Sequence, residues 1–272
     1  RDAQESRGLG DVYKRQVLVF AYFTGANIIP KRWLAMIMRT FLNVIAMILY
    51  FGVIPIMPIA EAGAGLFTAP IFVLIISGVF FREKITKRQI LSICLGSFGV
   101  VLILGKNYSG LTRYHTFPIL AGAFYGLAAI VTNRYLQDEE PLAILLCFLC
   151  SIGLVGLMLT IFFTYYPVTQ SLLIQAPFIF KPWNSQDSFF WVIMSFLGLL
   201  SSLAIYLLVK AYQISRPSYA AIYEYTYLIS AGFFSWLFWD ITPTLAGICG
   251  IIAIVIAGVN IALAKPITPK SL

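Results

Sequence analysis

The sequence predicts an all-α polytopic membrane protein, an inverted-repeat helical bundle with about nine of ten transmembrane helices present. Three observations predict it: the composition, the spacing of long apolar runs, and the alternation of basic residues between them. Of the 272 residues, 60% are hydrophobic and 11% are charged, whereas a soluble domain is roughly a quarter charged. Such a chain cannot cover its own surface in water, so the expected solvent is lipid.

Eight apolar runs are candidates for membrane-crossing helices, each of which takes about 20 residues. Prolines lie at or near most of their ends, as expected for a residue that cannot continue a helix. Pro70 instead falls inside the second run, where it should kink the helix. The predicted spans are 33–54, 59–81, 89–105, 116–134, 142–164, 189–209, 217–239 and 244–264.

The beginning of the chain fits this pattern less well. Residues 17–29 are apolar, but 13 residues of helix reach only about 20 Å, short of a hydrocarbon core of about 30 Å. Residues 1–16 are polar and charged, and we interpret them as a leader that need not belong to the natural protein. We therefore expect a truncated chain that lacks its first helix and part of its second.

The basic residues predict an orientation. The net charge of +8 is spread in short clusters between the apolar runs, so it indicates topology and no nucleic-acid partner is expected. When sides alternate along the spans, twelve of the 19 Lys and Arg fall on one side and three (Lys106, Arg113 and Lys181) on the other. The basic side is normally cytoplasmic. This predicts a multi-pass plasma membrane protein (the inner membrane of a bacterium) with a cytoplasmic tail, 265–272.

An internal repeat relates residues 60–104 to residues 217–263. Each stretch has a start rich in small residues, a long apolar helix, and a turn with an acidic residue and a threonine, Glu83 to Thr86 and Asp240 to Thr242. Each ends in a glycine-rich helix that closes on Gly-Val, at Gly99 and Gly258. The two turns fall on opposite sides of the membrane by the charge alternation. Similar halves of opposite orientation are typical of inverted-repeat secondary transporters.

The layout of Pro70, Glu83-Lys84-Ile85-Thr86, Gln89 and Gly99-Val100 resembles the EamA-like half of the drug/metabolite transporter superfamily. The resemblance runs from about residue 17 to residue 264, although Trp239-Asp240 stands where the family usually has a Gly-Glu-like pair. It implies two five-helix halves: a first repeat at 17–105, incomplete, and a second at 116–264. It also implies gradient-driven movement of small metabolites such as amino acids, nucleobases, S-adenosylmethionine or amphipathic drugs.

Two charges inside spans are the main candidate site residues, since buried ionisable groups in a bilayer are costly and usually functional. Glu224 lies seven residues past Pro217 and Arg39 six past Trp33, in helices that both start on the predicted cytoplasmic side. We expect the two to pair, with substrate or proton competing for Glu224. A static pair that only locks two helices, or an Arg39 that extends to the headgroups, is the alternative.

Aromatic and amide side chains extend this candidate site. Tyr219, Tyr223 and Tyr227 are spaced by four and would share one helix face beside Glu224, suiting a cationic or amphipathic substrate. Interfacial anchoring and core packing explain these tyrosines equally well. Polar lining from other helices is expected from the residues Tyr206, Asn43, Tyr125 and Asn133.

Other functions are less well supported. The predicted spans hold no nucleophile–base set, no acidic metal cluster and no G-x-x-x-x-G-K-[ST] loop, so an enzyme or a primary pump is not expected, and no cofactor or metal is predicted. A channel-like or non-transporting membrane protein remains the alternative. The substrate, the direction of transport, proton coupling and a homodimer are left open.

Overall fold

The computed structural model describes residues 28–54, 57, 59–83, 85–104, 113–166, 188–239 and 244–263, and within them all regular structure is helical. The predicted all-α class is confirmed. The helices are α1 (Trp33–Val53), α2 (Ile59–Leu66), α3 (Ala69–Val79), α4 (Lys87–Leu104), α5 (Thr116–Tyr135), α6 (Pro141–Tyr165), α7 (Ser188–Ile214), α8 (Pro217–Tyr223), α9 (Thr226–Trp239) and α10 (Leu245–Ala262).

Six described segments are long and apolar enough to cross a membrane, and they coincide with six of the eight predicted spans. Of the other two spans, α4 begins with the polar residues Lys87, Arg88 and Gln89, and the span 217–239 is interrupted. The leader 1–16 and most of the partial span 17–29 lie outside the described residues. The six segments are Trp33–Val53, Ala62–Val79, Arg113–Tyr135, Pro141–Phe163, Ser188–Ile214 and Leu245–Ala262.

The chain divides into two compact units, each drawn from both predicted repeats. Unit 1 comprises Arg1–Met57 and Ala128–Ile214, and unit 2 comprises Pro58–Leu127 and Ser215–Leu272. In unit 1, α6 packs against both α1 and α7. Two buried apolar clusters hold these helices together, one around Met36, Leu136 and Val209 and one around Leu145 and Leu149.

One end of unit 1 is fixed by a buried carboxylate. Glu139, in the loop between α5 and α6, is only 5% exposed. It accepts the backbone N–H groups of Lys31 (2.8 and 3.0 Å) and Arg32 (2.6 Å) just before α1. A carboxylate is stabilised there by the free N–H groups at the helix start. Gln213 of α7 donates to the carbonyl oxygens of Leu136 and Glu139, so three chain segments are tied at this end.

In unit 2, α4 packs along α10, its counterpart in the predicted repeat. The start of α4 lies near the end of α10, where Asn260 donates to Ser92 Oγ (2.9 Å) and Arg88 donates to the Leu263 carbonyl oxygen (3.1 Å). Farther along, Gly99 of α4 lies against Gly250, near the start of α10. The two helices are therefore antiparallel. Opposite directions for repeat-related helices are what an inverted repeat requires.

The end of α3 stores a small amount of backbone strain at Arg82. This residue has a φ of 51°, the left-handed conformation that side chains other than glycine disfavour. The turn is closed by the Glu83 N–H, which donates to the Ser77 carbonyl oxygen at 3.0 Å. Glycine is the usual residue at such helix ends.

Replacing Arg82 with glycine should therefore stabilise the protein by about 1 kcal/mol. The expected readout is a rise in the thermal midpoint of the purified protein in detergent. Arg82→Ala removes the same charge but keeps the Cβ atom, so it should give no such gain. An equal gain from alanine would show that charge repulsion, and not backbone strain, limits stability at this turn.

Candidate functional site

Two membrane helices of unit 2 are broken near their middles. The span predicted at 59–81 is divided between α2 and α3, immediately before Pro70, so the predicted kink is confirmed. The second span, 217–239, was predicted as one helix, and this is wrong. It is divided into α8 and α9 at Glu224 and Tyr225.

The second break is a short stretch of tighter helix. The N–H groups of Glu224, Tyr225 and Tyr227 donate three residues back, to the carbonyl oxygens of Ala221 (3.3 Å), Ile222 (3.3 Å) and Glu224 (3.1 Å) respectively. These are i→i−3 bonds of 3₁₀ type, and such a stretch inside a helix often marks a functional hinge. No proline causes it. The break is set by tertiary packing, which is why the apolar pattern of the sequence did not predict it.

Both breaks use a threonine in the same way. The Thr68 hydroxyl donates to the Gly65 carbonyl oxygen at 2.6 Å, and the Thr226 hydroxyl donates to the Tyr223 carbonyl oxygen at 2.7 Å. Each hydroxyl adds a hydrogen bond to a carbonyl oxygen near the end of the first half-helix, where helical N–H donors run out; the Gly65 oxygen also accepts the Thr68 N–H at 3.1 Å. In the repeat that pairs residue 60 with residue 217, the two breaks fall at equivalent positions.

The two breaks also meet in space. The Phe67 ring lies 6.3 Å from the Tyr225 ring and 6.1 Å from the Tyr227 ring, centre to centre. Beyond them α3 packs against α8, so the two broken spans run in opposite directions. Each break lies seven or eight residues, about 10–12 Å, after the start of its own span. Because the two spans are antiparallel, these starts lie at opposite ends of the pair. In a hydrocarbon core of about 30 Å, both breaks are then near the midplane.

Glu224 is at the centre of this arrangement. Its side chain is half-buried, and its Oε1 atom accepts a hydrogen bond from the Tyr125 hydroxyl of α5 at 3.1 Å. A carboxylate at this depth is expensive and is normally kept where it binds something. The arrangement can hold a cationic group, a proton or a hydrogen-bond donor.

Tyr225, the residue after Glu224, holds the second break in place through its packing. Its side chain is fully buried, and its hydroxyl lies 3.1 Å from Ser97 Oγ. One edge of the ring lies against Gly96 of α4, where an added Cβ atom would be 2.5 Å from two ring carbons. Only glycine leaves room for the ring at that point. Tyr225 therefore anchors the break while its neighbour Glu224 stays partly accessible.

The predicted tyrosine face is changed by the break. Tyr219 and Tyr223 lie on α8 and Tyr227 lies on α9, so the break divides the predicted face, and its role in binding stays a prediction. Tyr219 packs on the apolar core of unit 2. Tyr223 and Tyr227 are 44% and 65% exposed in the protein, and Tyr227 borders Phe67 of the other break.

The remaining predicted site residues belong to unit 1. Arg39 and Asn43 lie on one buried face of α1, and Arg39 Nε donates to Thr132 Oγ1 at 3.3 Å. The predicted pairing of Arg39 with Glu224 stays a prediction. Tyr206 packs against a leucine cluster, and Asn133 donates to the Tyr212 carbonyl oxygen at 2.9 Å.

Within the parts of the chain that the structure describes, no three His, Cys, Asp or Glu residues stand close enough together to hold a metal ion. Ser97, Phe67 and Tyr225 were not identified from the sequence as site residues. The sequence features that could have identified them are Gly96, just before Ser97, and Tyr225, just after Glu224. Neither could be interpreted without the position of the second break.

Comparisons with known proteins identify a matching family and several similar transporters. The profile of the EamA-like transporter family matches residues 16–105 and 113–263. A protein of Helicobacter pylori named as an uncharacterized transporter is 26% identical over 83% of this chain and 72% of its own length. A riboflavin transporter of Brucella anthropi is 24% identical over 69% of this chain and 62% of its own.

A third relative, an S-adenosylmethionine uptake transporter of Rickettsia prowazekii, is 21% identical over 88% of this chain and 75% of its own length. A solved crystal structure superposes with a TM-score of 0.77 at 14% identity, covering 97% of this chain and 88% of the other. At that identity the superposition supports the fold alone.

Proposed function

The chain belongs to the EamA-like transporter family, whose profile matches most of its length, and we propose that it is a secondary active transporter that works by alternating access. The proposed cargo is a small metabolite or amphipathic compound, moved across the plasma membrane. The relatives compared above are named as transporters, which supports this class.

One observation carries the proposal: Glu224 sits at the place where two broken, oppositely directed helices meet. Substrate and coupling-ion sites of inverted-repeat transporters lie near the midplane, where helices are interrupted. Here the interruptions fall at equivalent positions of the repeat and contact each other through Phe67 and Tyr225. A purely structural bundle has no need to place a carboxylate there.

We assign Glu224 the central role of binding either the substrate or a proton. Tyr223 and Tyr227 are its proposed neighbours in substrate contact, because they remain exposed on either side of the break. In unit 1, Arg39 and Asn43 on α1, and Tyr206 on α7, are proposed as further substrate-contacting residues.

The aromatic rings around the break favour a substrate with a planar ring. The Phe67 ring lies against the largely exposed Tyr227, three residues after Glu224, and aromatic ring faces attract both aromatic rings and cations. Riboflavin and S-adenosylmethionine, the substrates in the names of two relatives, both contain planar heteroaromatic rings. We propose the same general class for this chain.

The packing of unit 2 supports the proposed orientation. Gln89 at the start of α4 donates to Ser218 Oγ at the start of α8 (2.8 Å), so the helix starts lie together. Their flanking basic residues Lys87, Arg88 and Arg216 therefore lie at one end of the unit. Clustered basic residues favour the cytoplasm, and we propose that this end and the C-terminal tail face inward.

The direct test is uptake into proteoliposomes that contain the purified protein, using a metabolite panel that includes riboflavin, S-adenosylmethionine, amino acids and nucleobases. We expect saturable movement of at least one compound, faster with an imposed proton gradient if Glu224 carries protons. Non-saturable flux would indicate a channel. No movement of any compound by a protein shown to be folded would overturn the proposal.

A further inference from the structure

Helix α5 contacts both breaks, and this gives a role to residues that the proposed function does not use. We propose that Tyr125 is a positioning residue that couples Glu224 at the second break to the shape of the first break, with α5 as the connecting element. The inference rests on the proposed role of Glu224, but it is tested without transport.

The first contact is a row of residues without bulky side chains along α5. Pro118, Gly122 and Gly126 are spaced by four and share one face. A Cβ atom at Gly122 would lie 2.7 Å from Thr68 Oγ1, 3.0 Å from the Leu66 carbonyl oxygen and 3.1 Å from the Ala69 nitrogen. These atoms belong to the first break itself. The α5 backbone is therefore seated directly on the point where α2 becomes α3.

The same row follows the broken helix on both sides of the break. Pro118 contacts Gly65 in α2, and Gly126 lies where a Cβ atom would be 3.1 Å from a Val73 methyl group and 3.2 Å from the Ala69 carbonyl oxygen in α3. Because the contacts advance together along both chains, α5 runs parallel to α2 and α3. A change in the angle between α2 and α3 must then move α5 or separate it from one of them.

The second contact of α5 is made by a side chain next to this row. Tyr125 lies one residue before Gly126, and its hydroxyl donates to Glu224 Oε1 at 3.1 Å. Hydrogen bonds to an ionised carboxylate are roughly twice as strong as neutral ones. Whatever neutralises Glu224, a bound cation or a proton, competes with or weakens this bond. The row formed by Pro118, Gly122 and Gly126 then carries the change to the first break, by a route separate from the ring contacts of Phe67.

The test is a cycle of variants read by amide hydrogen exchange in the purified protein, with no substrate present. Glu224→Gln should raise exchange at the first break, residues 67–72, by about fivefold, the difference between a charged and a neutral acceptor. Tyr125→Phe should do the same. The double variant should raise exchange by less than the two single effects combined, because both changes act on the same hydrogen bond.

The control removes a hydroxyl contact of unit 2 away from both breaks. Ser92→Ala takes away the oxygen that accepts from the Asn260 side chain at 2.9 Å and should leave exchange at residues 67–72 unchanged. The proposal is overturned if Glu224→Gln alters only the second break, or if the effects of Tyr125→Phe and Glu224→Gln add.

A second experiment changes the first break and measures the effect at the second. It does not depend on whether the Tyr125 variant folds. Coupling between two sites is reciprocal, so Gly122→Ala, which displaces Thr68, should raise exchange at residues 224–228. Gly156→Ala on α6, where an added Cβ atom meets nothing within 4 Å, should not. Equal behaviour of the two alanine variants would contradict the proposal, even if Glu224 proves essential for transport.

Discussion

Glu224→Gln should lower transport at least about tenfold while the protein still reaches the membrane in normal amounts. The amide has nearly the same shape as the carboxylate, and it can still accept a hydrogen bond from Tyr125. What it lacks is the negative charge. A hydrogen bond to a charged group is worth about 1.5–3 kcal/mol, and 1.4 kcal/mol corresponds to a tenfold change in an equilibrium or rate.

A shorter carboxylate gives a second measurement at the same position. Glu224→Asp keeps the charge but withdraws it by one methylene group, so the contact with Tyr125, 3.1 Å in the wild-type protein, should lengthen. Transport should fall by less than in the glutamine variant, mainly through a higher KM. The initial rate of uptake against substrate concentration, normalised to protein in the membrane, separates the two effects.

A matched control uses a carboxylate with no proposed role. Asp138 is largely exposed and lies 3.8 Å from an exposed Arg32 nitrogen, a type of ion pair worth about 0–1 kcal/mol. Asp138→Asn should transport normally. If Glu224→Gln also transports normally, Glu224 is a structural residue and the proposed site is wrong.

The fold class follows from physical constraints that a sequence records directly. Apolar runs about 20 residues long must span a bilayer as helices, and six of the predicted spans recur as suitable segments in the described structure. The repeat was recognisable because its two turns and its Gly-Val ends are local features. The antiparallel packing of α4 and α10 then agrees with the opposite directions inferred from charge.

The candidate site was only half predictable, and its two breaks show why. Pro70 cannot donate a hydrogen bond within a helix, so the first break has a local cause that is visible in the sequence. Glu224 and Tyr225 are compatible with an unbroken helix. They leave it because Tyr225 is fitted onto Gly96 and Ser97, which are more than 120 residues away in the chain.

The other large expected effect concerns the crossing of α4 and α10. Gly99 and Gly250 face each other, and each would direct an added Cβ atom at the other's carbonyl oxygen, at 2.7 and 2.6 Å respectively. A backbone oxygen cannot turn aside as a flexible side chain can. Gly250→Ala must therefore push the two helices apart along their whole contact, as in other membrane helices packed through glycine.

Overpacking of this kind costs about 1–3 kcal/mol, so Gly250→Ala should lower the thermal midpoint in detergent by about 5 °C. Gly258 lies in the same helix, two turns later, and an added Cβ atom there meets nothing within 4 Å. Gly258→Ala should be neutral or slightly stabilising, because alanine favours helix by about 1 kcal/mol. If both alanines lower the midpoint equally, intrinsic flexibility and not close packing is what these glycines provide.

A double variant shows whether Gly99 and Gly250 form one shared contact or are each packed independently against other residues. Once Gly250→Ala has moved the helices apart, Gly99→Ala finds the space already open. The combined loss of stability should then be smaller than the sum of the two single losses, as expected for residues in direct contact. Additive losses would mean that each glycine is strained against its own surroundings, Ile254 for Gly99 and Ile103 for Gly250. In that case the contact between the repeat-related helices would not be set by this glycine pair.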